Sequence, residues 1–135
     1  MEKININEIL ECFEKNTEIN IGLFPNTKSV KYGYENIKNE FKLYLQGLGE
    51  VIDIIKDCIK KNNVIHFNIW SNDGKFINGD GKIRIIENED DKLDGLNKII
   101  KQHEKNNIEY NVIINDLNEL YIFEVNVENT YLTKN

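Results

Sequence analysis

The sequence predicts a mainly β (α+β) protein, a single antiparallel β-barrel with peripheral helices. Three observations predict it. Six or seven segments alternate apolar and polar residues at the period of a half-buried strand. Helical periodicity is confined to three segments, at the start, after the third strand and before the end. Glycines at Gly79 and Gly81 interrupt the longest alternating run, where a sheet bends towards closure. A doubly wound parallel sheet needs a helix between nearly every pair of strands, which this order does not supply. Closing an antiparallel sheet instead removes its edges. At 135 residues, with one Pro and eight Gly, residues 1–135 read as one domain with its own core and no disordered linker.

Asn5 to Glu14 predicts a first helix, capped by Asn5 or Asn7, whose stripe of Ile6, Ile9, Leu10 and Phe13 covers the core. Ile19 to Phe24 is a short strand, and Pro25-Asn26 turns it into a second over Thr27 to Tyr34, with Val30, Tyr32 and Tyr34 on one face. Glu35 to Asn39 reads as a polar connection. From Glu40 to Trp70, the run EFKLYLQGLGEVIDIIKDCIKKNNVIHFNIW reads as strand, glycine turn, helix, polar break, strand. Phe41, Leu43 and Leu45 alternate with Lys42, Tyr44 and Gln46. After Gly47 and Gly49 the period changes, so that Val51, Ile52, Ile55, Cys58 and Ile59 share a helical face. Acidic Glu50 and Asp53 begin that helix and Lys60 and Lys61 end it, as the helix dipole prefers. Asn62-Asn63 stops it, because asparagine tolerates the left-handed conformation.

Ile65, Phe67 and Ile69 mark the next strand, and Ser71 to Gly74 is a turn. Phe76 to Ile86 follows, with Ile77, Gly79, Gly81, Ile83 and Ile85 on one face. A helix capped by Asn88 or Asp90 then runs to about Glu104, with a stripe of Leu93, Leu96, Ile100 and His103 and Ile99 beside it. Ile108 to Asn115 reads as a short strand around Val112 and Ile114, and Leu120 to Glu128 as the last strand.

A net charge of −6 without clustered Lys or Arg argues against a nucleic-acid footprint. No apolar run reaches the length of a membrane span, and MEKININEIL lacks the order of a signal peptide, so the expected location is the cytoplasm. Cys12 and Cys58 lie far apart in helical patterns and read as reduced thiols. His66 and His103 lack the paired ligands of a zinc or iron site, so no metal is expected. No Ser or Cys sits in a nucleophile elbow.

The central run and its continuation resemble a family pattern. Leu43-Tyr44-Leu45-Gln46, the turn Gly47 to Gly49, the helix from Glu50, Asn62-Asn63 and Ile65-His66-Phe67-Asn68-Ile69 appear in that order. Downstream come Ile77-Asn78-Gly79-Asp80-Gly81-Lys82-Ile83, the acidic start and Lys92-Leu93-Asp94-Gly95-Leu96 of the last helix, and a closing strand ending in Leu132-Thr133-Lys134. Together they resemble the flavin-binding split-barrel proteins of the pyridoxamine 5'-phosphate oxidase-like superfamily, in particular the nitroimidazole-resistance and general-stress branches. The resemblance implies a split β-barrel, a homodimer with FMN at the subunit interface, and oxidoreductase chemistry on a small molecule.

It also implies a set of site residues. Where Glu50 and Val51 stand, the family often places basic residues, and a histidine commonly replaces Gln46. An FMN phosphate must then rely on Lys28, Ser29 or Lys31, with Thr27 beside them, because Glu50 would repel it. Ser29 and Lys31, two apart on one strand face, can converge on a phosphate or can form a solvated face. Gln46 and Gly47 can meet the flavin edge or can form a turn. Tyr44 and Trp70 can stack on the isoalloxazine or on a partner, or can serve packing alone. A flavoprotein needs no dedicated nucleophile, since the cofactor carries the redox step. The alternative is a divergent, cofactor-free barrel that acts as a binding or interaction module.

Overall fold

The computed structural model describes residues 2–3, 5–23, 26–71, 74, 76–112 and 115–133. In chain order they form β1 (Glu2–Lys3), α1 (Ile6–Glu14), β2 (Glu18–Ile21), β3 (Lys28–Ile37), β4 (Glu40–Gly47) and α2 (Glu50–Lys61). β5 (Val64–Trp70), β6 (Phe76–Ile85), α3 (Glu89–Lys105), a 3-10 turn (Leu117–Glu119) and β7 (Tyr121–Thr133) complete the order. Every strand pair is antiparallel. The sheet runs β7-β4-β3-β2-β5-β6 and returns from β6 to β7, a closed six-stranded barrel with β1 added beside β7. It is an antiparallel barrel with three peripheral helices, as the alternating segments predict, and a split β-barrel, as the resemblance implies. The expected turn residues Phe24, Pro25, Asn72 and Asp73, together with Ile114 and Lys134, lie outside the described residues.

Closure depends on β7, whose 13 residues reach both neighbours. It pairs with β4 from Tyr121 to Asn126 and with β6 from Phe123 to Thr133. Asp80 faces Asn129 but Gly81 faces Val127, so Glu128 is a bulge at the expected glycine bend. A Cβ at Gly79 would lie 2.3 Å from the Phe67 ring, which occupies the interior there.

Inward residues from all six strands fill the barrel, among them Val30, Tyr32, Leu43, Leu45, Ile65, Phe67, Ile69, Ile77, Ile83, Phe123 and Val125. α1 and α2 complete this core. Asn5 is the α1 cap, accepting from the Asn7 and Glu8 amides. Ile9, Cys12 and Phe13 bury the α1 stripe, with the Phe13 ring 5.2 Å from Phe41 and 6.3 Å from Phe67. The Tyr32 hydroxyl donates to the Phe13 carbonyl at 2.6 Å, tying that helix to β3. From α2, Val51 and Ile55 are buried, and Asn63, with φ 51°, supplies the left-handed exit. Both cysteines are free thiols.

Three expectations need correction. Glu35 to Asn39 is not a polar connection: β3 continues to Ile37, and Lys38-Asn39 alone make the hairpin turn, with φ 52° and 66°. Glu35 lies on the outer surface and Asn36 is exposed beside Phe41 at the end of the barrel, and strand pairing carries the backbone through both. The buried face of α3 is Gly95, Ile99, Gln102 and His103, whereas Leu93 is exposed. The stripe is rotated because glycines on both surfaces allow close approach: an added Cβ at Gly33 would stand 2.5 Å from the Lys98 carbonyl carbon, and one at Gly95 would stand 2.8 Å from Ile122. Finally, residues 108–112, where the last short strand was expected to begin, have no regular structure.

Candidate functional site

α3 divides the outside of the barrel into two halves. It packs on β3, β4 and β7, closing a second small core of Tyr44, Ile86, Ile99, Leu120 and Ile122. The outward residues of β2, β5 and β6 have no such cover. Glu18, His66 and Trp70 are exposed there, Asn20, Asn78 and Asp80 are half-buried, and Asn68 between them is buried.

The register aligns Asn78, Asn68, Asn20 and Ser29 across β6, β5, β2 and β3, one amide or hydroxyl per strand. Asn20 Nδ2 donates to Asn68 Oδ1 at 3.0 Å. Lys31 faces Glu18 on the neighbouring strand, with Nζ 3.5 Å from its carboxylate. Such a partly exposed pair contributes about 0–1 kcal/mol, so a phosphate can compete for the ammonium. Ser29, Lys31 and the carboxamide of Asn20 thus offer a hydroxyl, a cation and amide donors on one open surface. These groups fit the phosphate end of a nucleotide-like ligand.

The sequence-predicted site residues divide by face. Ser29 and Lys31 lie on the open half. Trp70 does too: it is 46% exposed, and its ring stacks on Phe76 with centroids 3.6 Å apart. Lys28 does not join them. Strand alternation turns it with Val30 to the other side of β3, and its Nζ lies 2.8 Å from the carboxylate of Glu50 at the start of α2. Val51, the neighbour of Glu50, is buried in the core.

Tyr44 belongs to the covered half. Its ring packs below α3, with Lys98 Nζ 5.2 Å from the centroid. Its hydroxyl donates to Glu35 at 2.8 Å. Burial, and then the Glu35 carboxylate, push its pKa well above the usual phenol value. Gln46 follows Leu45, the partner of Tyr32, in the ladder but is only 2% exposed. Its Oε1 accepts from the Tyr110 hydroxyl at 2.8 Å. Gly47 faces the interior, where a Cβ would lie 2.7 Å from the Phe123 ring and 3.0 Å from Ile52. It is a close-packing position between β4, β7 and α2.

Sequence reasoning missed three features. Asn20 and Asn68 are brought to Ser29 by pairing between distant strands, which a single strand's alternation does not reveal. Tyr110 lies in the segment read as a strand. Glu124, buried on β7, receives Arg84 Nη2 at 2.9 Å and Nε at 3.2 Å, opposite Tyr44 in the ladder. Its only sequence signal was a carboxylate at an alternating position.

Among the described residues no group of three or more His, Cys, Asp or Glu could hold a metal ion, and no helix is long and apolar enough to cross a membrane. No protein-family model and no curated protein matches the chain. Solved structures do match. A candidate pyridoxamine 5'-phosphate oxidase from Listeria innocua superposes with a TM-score of 0.61 at 14% identity, over 94% of this chain and 96% of that one. A candidate 5-nitroimidazole antibiotic resistance protein from Bacteroides thetaiotaomicron gives 0.58 at 14%, over 93% and 81%. The chain has the fold of these proteins. A NimC/NimA family protein from Clostridium acetobutylicum shares it, with a TM-score of 0.53 at 8% identity over 94% and 90% of the two chains. At such identities the likeness is one of fold.

Proposed function

We propose that the chain is an FMN-binding split-barrel protein that acts as an oxidoreductase on a small molecule. The observation that supports this reading is the open outer face of a barrel with this fold, where Asn20 lies opposite Ser29 and Lys31 stands two positions along the same strand. The phosphate would be held by the Ser29 hydroxyl and the Lys31 ammonium. Gln46 would meet the flavin edge, and Trp70 would offer an aromatic surface to the ring or to a second copy of the chain. A homodimer would cover the open face and enclose the cofactor. When bound, FMN supplies the electron transfer, and the protein's part is to orient the ring and exclude water.

The test is direct. The purified protein is incubated with excess FMN, the unbound fraction is removed, and the visible spectrum is recorded. A stoichiometric flavin spectrum is the expected result. A colourless protein overturns the reading in favour of a cofactor-free binding module. That second reading has its own support, since Lys28 and Lys31 already face Glu50 and Glu18 and Gln46 is covered.

A further inference from the structure

We propose that Tyr110 is a latch over Gln46, and that a flavin reaches the Gln46 amide only by displacing it. The inference rests on the flavin reading above and concerns how that same site opens. As it stands, the amide cannot meet a ligand: Gln46 is 2% exposed and its Oε1 is occupied by the Tyr110 hydroxyl. Gln46 nevertheless follows Leu45, the ladder partner of Tyr32, so uncovering it would extend the open face towards β4.

Tyr110 is half-buried, on a stretch after α3 that is neither helix nor strand. Just before it, the Ile108 amide donates to the His103 carbonyl at 3.0 Å, which anchors the stretch to the end of α3 and leaves Tyr110 beyond the anchor.

The closed arrangement also carries a defect. The His103 ring lies edge-on to the Tyr110 ring, 5.5 Å between centroids, and is 1% exposed. Its Nδ1 is 2.8 Å from the Ile99 carbonyl oxygen, while Nε2, buried, has no hydrogen-bond partner among the described residues. Closing thus makes one hydrogen bond, Tyr110 to Gln46, beside one unsatisfied buried nitrogen. The two contributions have opposite signs, so closure rests on the packing of the Tyr110 ring against the second core of Tyr44, Ile86, Ile99, Leu120 and Ile122. Withdrawing Tyr110 admits water towards Nε2 and frees Gln46 Oε1 for a flavin N–H donor.

Tyr110→Phe keeps the ring and removes the hydroxyl that competes for Gln46. FMN binding, followed by quenching of flavin fluorescence, should tighten about three- to ten-fold in this variant, the range set by one ordinary hydrogen bond. In a Gln46→Leu background the same substitution should change nothing, because there is no amide left to release. In the unmodified protein, FMN should accelerate hydrogen exchange of the amides in residues 109–112. Unchanged or weaker FMN binding by Tyr110→Phe, with flavin still bound, overturns the latch and leaves the flavin reading standing. If neither protein quenches FMN, the flavin reading falls and the latch with it.

Discussion

The two halves of the barrel exterior share one sheet and one inward alternation, yet one is sealed and the other open. On the sealed half, Gly33 and Gly95 let α3 approach the sheet to backbone distance. The polar residues beneath it are each matched: Tyr44 with Glu35, Gln46 with Tyr110, Glu124 with Arg84. On the open half the outward positions carry Glu18, Asn20, His66, Asn78 and Asp80 without a helix above them. The difference teaches that polarity of the outward residues does not by itself decide exposure. Close approach by glycine and partners for the outward polar groups beneath the helix do.

The sharpest way to break the comparison is to restore bulk at Gly33. Gly33→Val would drive side-chain atoms into the backbone of Lys98 and Ile99, lifting α3 from β3. A loss of about 3 kcal/mol in stability by denaturant unfolding is expected, at the upper end for overpacking. Ser29→Val, on the same strand in the open half, should stay within about 0.5 kcal/mol. Similar values at the two positions would mean that the halves do not differ in packing.

Alkaline titration sharpens the same contrast with a smaller effect. The Tyr44 pKa is raised in the folded state above its ordinary value of 10.0, by burial first and Glu35 second. A raised folded pKa means that the contribution is fully present below the unfolded pKa and is lost as pH rises through the folded one. The melting temperature should therefore fall as pH climbs past 10.0, and Tyr44→Phe should flatten that fall. An unchanged slope in Tyr44→Phe would separate Tyr44 from alkaline unfolding.

The legible part of this protein was its interior. Val30, Tyr32, Leu43, Leu45, Phe67, Ile69 and Val125 alternate because they face one barrel core, and period-two patterning reports that directly. The outer face was less legible. In α3 the expected stripe of Leu93, Leu96, Ile100 and His103, with Ile99 beside it, holds at Ile99 and His103, while the helix also docks through Gly95 and the polar Gln102 and leaves Leu93 exposed. Gln102 is buried because its Nε2 donates to the carbonyls of Phe13 and Asn16, each at 2.7 Å, partners some ninety residues away. Hydrophobic periodicity cannot report a burial created by distant hydrogen bonds. The site was visible to the same limited degree: Ser29 and Lys31 fall together within one strand, whereas Asn20, Asn68 and Tyr110 join them only through tertiary pairing.

The smallest stability effect belongs to the lysines, and it is there that the two sides of one strand part most clearly. Lys28 and Lys31 are three residues apart, both ion-paired and both on β3, but they point to opposite sides of it. Breaking either surface pair should cost less than about 1 kcal/mol, so neither alanine variant should shift the unfolding midpoint appreciably. Ligand binding should separate them. Lys31→Ala removes the cation from the open face beside Ser29 and should weaken FMN binding about ten-fold, the size of a charge-assisted hydrogen bond. Lys28→Ala should leave it within two-fold, because that ammonium is held by Glu50 on the other side of the strand. Equal losses from both substitutions would place the phosphate at the end of β3 instead, near the start of α2.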